Sequence, residues 1–204
     1  MLLTTLAYGA LASAPASATP AAGARHHLRL MVGVELVDVI LVGAALLAIG
    51  RPPRFRRVGD VPPVWVWTTA VLGVFLLLAL NHLYHSVLGG YVGGPAAHDP
   101  VVSALGITPL VLFAYCVQPA IFEELFFRYA ALDTLRGVMS VHAAVIVSAV
   151  MFGLAHIGVP LSIPILALIG VAFGYARVAS GRLALPMLLH FLHNLLIVLA
   201  EARG

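Results

Sequence analysis

The sequence predicts an all-α, polytopic transmembrane bundle of about seven helices in one membrane domain. Two observations predict it. The composition is 62% hydrophobic and only 9% charged over 204 residues, a balance outside the range of soluble domains. Apolar runs long enough to cross a bilayer also recur along the chain, separated by short segments rich in Pro, Gly and Arg. The eleven basic residues are all arginine and the net charge of +3 is scattered, which argues against nucleic acid as a partner. The single cysteine, Cys116, excludes an internal disulfide and any multi-cysteine metal site.

Residues 1–24 are rich in Ala, Ser, Thr and Pro, with an apolar start of about twelve residues. That length suits a weak signal-like segment or an unstructured tail rather than a span. Residues 25–204 then form the membrane domain. Leu30 to Ile49 reads as the first crossing; Glu35 and Asp38 within it share a face and take a structural role lining the bundle interior. Arg51, Arg54, Arg56 and Arg57 follow among prolines, so this loop is expected to be cytoplasmic. Val64 to about Leu83 is the second crossing, with Trp65 and Trp67 as interfacial anchors. Asn81 to Pro100 reads as an external loop. Its His82 and His85 have metal-ligand spacing but no third ligand, so they read as a polar helix end.

Val101 to Val117 is long enough for a third crossing, which Pro119 is expected to interrupt. A separate helix then carries Glu123 and Glu124 to about Arg136. Three apolar helices follow: Val141 to His156, one entered through Pro160 and Pro164 and reaching about Ala179, and Leu183 to Ala200. With two separate crossings before Arg136, Glu123 and His156 face the cytoplasm. Arg136 and Arg182 then fall outside, against the charge rule.

Charged groups at bilayer depth are expensive, so they tend to face a bundle interior and mark function. Glu124 and Arg128 stand at i and i+4, the order that favours an acid–base pair. Glu123 points about 100° away, toward residues on its own helix that cannot pair with it. It needs a partner from another helix, or water. His156 and the pair His190 and Asn194, which share one face, supply an imidazole, a second imidazole and an amide from two further helices. Glu123 and His156 lie sixteen residues either side of a turn at Met139–Ser140, so each is about 24 Å from it and both stand at one level of a hairpin. A carboxylate and an imidazole can activate water, while an imidazole and an amide can donate to an oxyanion. No His-Glu-x-x-His or Gly-x-Ser-x-Gly pattern occurs. Cys116 reads as a small buried thiol, and His193 as a neighbour of the site.

Glu123-Glu124-x-x-x-Arg128, Phe152-x-x-x-His156 and His190-x-x-x-Asn194 stand in order. They resemble the three signature motifs of the CPBP (Abi) family, which comprises type II CAAX prenyl proteases and bacteriocin-processing or immunity proteins. The resemblance covers roughly Pro119 to Leu196 and includes the stretch from Gly174 to Arg177. It implies an intramembrane glutamic endopeptidase without a cofactor, acting in the plasma membrane on membrane-associated or lipidated peptides. Glu123 and His156 would activate the water, His190 and Asn194 would form the oxyanion hole, and Glu124 and Arg128 would shape the site. Two alternatives stay open: a zinc protease with Glu123, His156 and His190 as ligands, and a non-enzymatic, immunity-type scaffold.

Overall fold

The computed structural model describes residues 19–50, 63–92 and 99–203. The signal-like residues 1–18, the four-arginine segment and His98 lie outside the described residues. The described residues form seven helices: α1 (Pro20–Ile49), α2 (Pro63–Val92), α3 (Pro100–Leu105), α4 (Pro109–Leu135), α5 (Val141–Leu154), α6 (Ile163–Ser180) and α7 (Ala184–Glu201). Five of them, α1, α2, α4, α7 and α6 with its 3₁₀ lead-in Pro160–Ser162, are long and apolar enough to cross a membrane, which makes this a multi-pass integral membrane protein.

The helix starts share one local grammar. Thr19, Asp99, Thr108 and Ser140 each cap a helix by accepting a backbone N–H, and the first three are followed by Pro at the first helical position. Gly50, Gly106 and Gly181 end α1, α3 and α6 at positive φ. The cap at Thr19 starts α1 at Pro20, ten residues before the expected start and inside the segment read as a tail. Likewise α2 runs on to Val92, so much of the expected external loop is helix.

The largest departure from the sequence reading is at α4. Val101 to Val117 is not one crossing: α3 stops at Gly106, and a continuous helix then runs from Pro109 to Leu135 straight through Pro119. It tolerates the proline because it is not uniformly α. Two π segments, Phe113–Val117 and Leu125–Leu132, flank an α segment Gln118–Glu124 in which Pro119 sits at the first turn. The π segment before the proline shifts the hydrogen-bond register there, with the Gln118 N–H donating to the Phe113 carbonyl.

Large apolar side chains on the outer faces of α1 and α2, including Leu36, Ile40, Phe75 and Leu76, are at least 60% exposed, as suits a lipid-facing surface. Helices α5 and α6 pack most closely. A Cβ on Gly153 would stand 2.8 Å from the Ile163 carbonyl oxygen, and one on Gly170 3.1 Å from Ala149 Cα.

The helix ends sort into two sets. At one end Arg177 pairs with Asp133, which also faces Arg136 at 3.6 Å, and Val66 and Trp67 join the cluster that holds Ala176 and Leu185. At the other, Tyr84 donates to the Leu161 carbonyl (2.7 Å), the Asp99 N–H donates to Glu201 (3.2 Å), and Leu28 clusters with Val101, Val102 and Val198.

Candidate active site

The site is built where α4, α5 and α7 meet. Glu123 and Glu124 close the short α segment of α4, just before the second π segment. Such π segments are frequent at functional sites. Glu124 is fully buried. Its Oε2 faces Arg128 Nε at 3.1 Å, close enough for an ion pair though not aligned as a hydrogen bond. Its Oε1 accepts from His190 Nδ1 at 2.9 Å. Arg128 is also fully buried: it donates to the Gly170 carbonyl at 3.1 Å and lies over the Phe152 ring, 4.7 Å from the centroid. A carboxylate, a guanidinium and an imidazole from two helices are thus locked together, with α6 and an aromatic face completing the arginine's surroundings.

Glu123 is turned out of this lock, as its helical position requires. Its Oε2 lies 3.9 Å from His156 Nε2 and 4.0 Å from His190 Nε2. Among the described residues it is buried without a hydrogen-bond partner. His156 lies just past the end of α5, in a turn rather than in the helix. Its Nδ1 bonds the Phe152 carbonyl at 2.8 Å, which puts the proton on Nδ1 and leaves Nε2 with a lone pair facing Glu123. A water about 2.8 Å from both Glu123 Oε2 and His156 Nε2 would see them at about 90°, an acceptable angle for donating to both.

His190, in the second turn of α7, reaches this level too, its Nε2 4.0 Å from Glu123 Oε2. Asn194, one turn on, donates from Nδ2 to the Tyr115 carbonyl at 2.9 Å. His193 is buried beside it, its Nδ1 3.4 Å from Asn194 Oδ1.

A cavity of about 440 Å³ joins Glu123, His156, His190, His193 and Asn194. It extends past Asn81 and His85 on α2 to Val159 and Ser162. A second cavity, about 370 Å³ and largely apolar, runs between α1, α4 and α5, and Glu123 and Glu35 border both. Asp38 lines the apolar one and is buried. Glu35, read from sequence only as a structural group, therefore stands at the site. Asn81, Tyr115 and Gln118 were not singled out at all, and no spacing in the sequence marks them. His85 lines the cavity, whereas His82 is exposed. His142 stands at the start of α5 and bonds Tyr175 (2.7 Å), and Cys116 is fully buried.

Two ligands on one tetrahedral zinc, each about 2.0–2.1 Å from it, stand about 3.3 Å apart. Glu123 is further than that from both imidazoles. Among the described residues no three His, Cys, Asp or Glu side chains are grouped to hold a metal ion. The donor set as placed does not fit zinc.

Residues 105–196 match the family described as type II CAAX prenyl endopeptidase Rce1-like. Over 187 residues the chain is 24% identical to the membrane-embedded CAAX protease MroQ of Staphylococcus aureus (strain USA300), covering 85% of this chain and 75% of that protein. No solved structure matches. The matched region runs from the last residue of α3 to Leu196 and contains all three motifs of the buried cluster, so it is over the site that the chain is similar to the type II CAAX prenyl endopeptidases and to a membrane-embedded CAAX protease.

Proposed function

We propose that the protein is an intramembrane endopeptidase of glutamic type in the plasma membrane. One observation carries the reading: Glu123 Oε2, with no hydrogen bond among the described residues, faces two imidazoles at 3.9 and 4.0 Å inside one cavity. Glu123 and the lone pair on His156 Nε2 draw the protons of a water, whose oxygen attacks the substrate carbonyl. His190 and Asn194 donate to the oxyanion. The contact of His190 Nδ1 with Glu124 Oε1 at 2.9 Å orients the ring so that Nε2 faces the Glu123 side of the site. Collapse of the tetrahedral intermediate breaks the C–N bond, and the proton held by Glu123 or His156 passes to the leaving amine.

The apolar cavity on the other side of Glu123 supports a substrate that is membrane-associated or lipid-linked, in line with the name of the family. The test compares membrane peptide termini in cells carrying the wild type and Glu123→Gln. Termini that require Glu123 and survive exhaustive chelation are expected. A Glu123→Gln protein that folds and leaves every terminus and the cellular phenotype unchanged favours the scaffold reading. Loss on chelation with one zinc bound per chain overturns the metal-free mechanism.

A further inference from the structure

We propose that Tyr84 is a positioning residue for His156, acting from α2 through the Leu161 carbonyl. His156 stands past the end of α5, in a connection to α6 whose residues 157–161 are all exposed. Burial therefore gives this segment little hold, and its hydrogen bonds set its shape. Three of them run in series. The Tyr84 hydroxyl donates to the Leu161 carbonyl at 2.7 Å, 77 positions away in the chain. The next residue, Ser162, donates its N–H to the Val159 carbonyl at 2.8 Å, and the Val159 N–H donates to the His156 carbonyl at 2.9 Å. The series is a strut from α2 to the backbone of the histidine that faces Glu123. It starts from a fixed point, because the Tyr84 ring packs against the cluster that holds Ile169, Phe173 and Leu189. The contact beside it, between His85 Nε2 and Ser162 Oγ, is 3.5 Å long, at the limit of a hydrogen bond, so Tyr84 makes the short tie.

The consequence for the imidazole is geometric. His156 Nδ1 must stay on the Phe152 carbonyl at 2.8 Å while Nε2 stays 3.9 Å from Glu123 Oε2, and both conditions depend on where the backbone of residue 156 sits. In a regular helix the i and i−4 relation would hold that backbone; here a turn does, and the strut fixes the turn. A displacement of about 1 Å at a reacting group can cost a rate about 100-fold. Tyr84 is absent from the lining of the Glu123 cavity, so its effect on the reaction passes through His156. The inference rests on the reading of His156 as a base, and its test separates the two.

Tyr84→Phe removes one oxygen and keeps the ring in its cluster. Full-length protein labelled with 15N-histidine in lipid nanodiscs carries nine histidines, and His156→Gln assigns the ring of interest. In the wild type that ring should show the tautomer with the proton on Nδ1, the nitrogen held by Phe152. Tyr84→Phe should turn this into a mixture of the two tautomers. On a peptide spanning a Glu123-dependent terminus it should lower kcat about tenfold, the scale of one net hydrogen bond, with KM unchanged. An unchanged His156 signal in a folded Tyr84→Phe overturns the proposal, whatever happens to the melting temperature. Full activity in that variant, or a loss carried by KM, does so as well. A mixture of tautomers already present in the wild type overturns it even if Tyr84→Phe does not fold. If no terminus depends on Glu123, the catalytic reading falls, while the His156 signal still judges Tyr84.

Discussion

Glu124 and Glu123 are neighbours in the chain with opposite surroundings, and the difference follows from 100° of helical rotation. Glu124 is enclosed between Arg128 and His190, the placement expected of a structural brace. Removing one partner from a buried ion pair leaves an uncompensated charge, at a cost of about 3–5 kcal/mol. Arg128→Ala is therefore expected to lower the melting temperature along with activity, read by thermal unfolding in nanodiscs. A fully stable but inactive Arg128→Ala would mean that Arg128 acts in the chemistry. Glu123→Gln is expected to show the reverse: near-native melting and a rate about 10²–10⁴-fold lower, the usual contribution of a general base. This division was legible in the sequence, because i and i+4 spacing pairs one glutamate and leaves the other. The Tyr115 carbonyl and the cavity face of Glu35 were not, since they depend on which helices become neighbours.

At the scale of elements, Pro119 was read by its usual effect, as a break between two crossings. The helix instead runs through the proline with a π segment just before it, and propensity gives way to packing against α7. The pairing of α5 with α6 was equally hidden, since a glycine in an apolar run does not say what approaches it. At Gly153 the approach is close enough to be tested. Ala there would put a Cβ 2.8 Å from the Ile163 carbonyl oxygen, an atom of the backbone that cannot turn aside. Gly153→Ala should therefore push α6 from α5 and destabilise the fold by about 1–3 kcal/mol. His156 lies three residues on, so activity should fall too. Unchanged melting in Gly153→Ala would show that the helices separate at no cost.

For the whole molecule, fusing the two expected crossings into α4 removes one passage through the bilayer and inverts the sidedness of everything after it. The inversion resolves a conflict. Arg136 and Arg182 now lie at the same end as Ile49 and Pro63, the ends of the helices flanking the segment with Arg51, Arg54, Arg56 and Arg57. Arg25, Arg29 and Arg203 belong to the opposite end, where α1 starts and α7 finishes. By the positive-inside rule the first, more arginine-rich end is expected to be cytoplasmic. The cavity at Glu123 extends the other way, toward Val159, Ser162 and His85, and so is expected to face the extracytoplasmic side, contrary to the cytoplasm-facing site read from the sequence. Cysteines introduced at Arg182 and Val159, one at a time in a Cys116→Ala background, test this with a membrane-impermeant maleimide on intact cells. Both positions are exposed. Labelling at 159 but not at 182 is expected. The opposite pattern would place the arginine-rich end outside and require substrates to reach Glu123 from the cytoplasm.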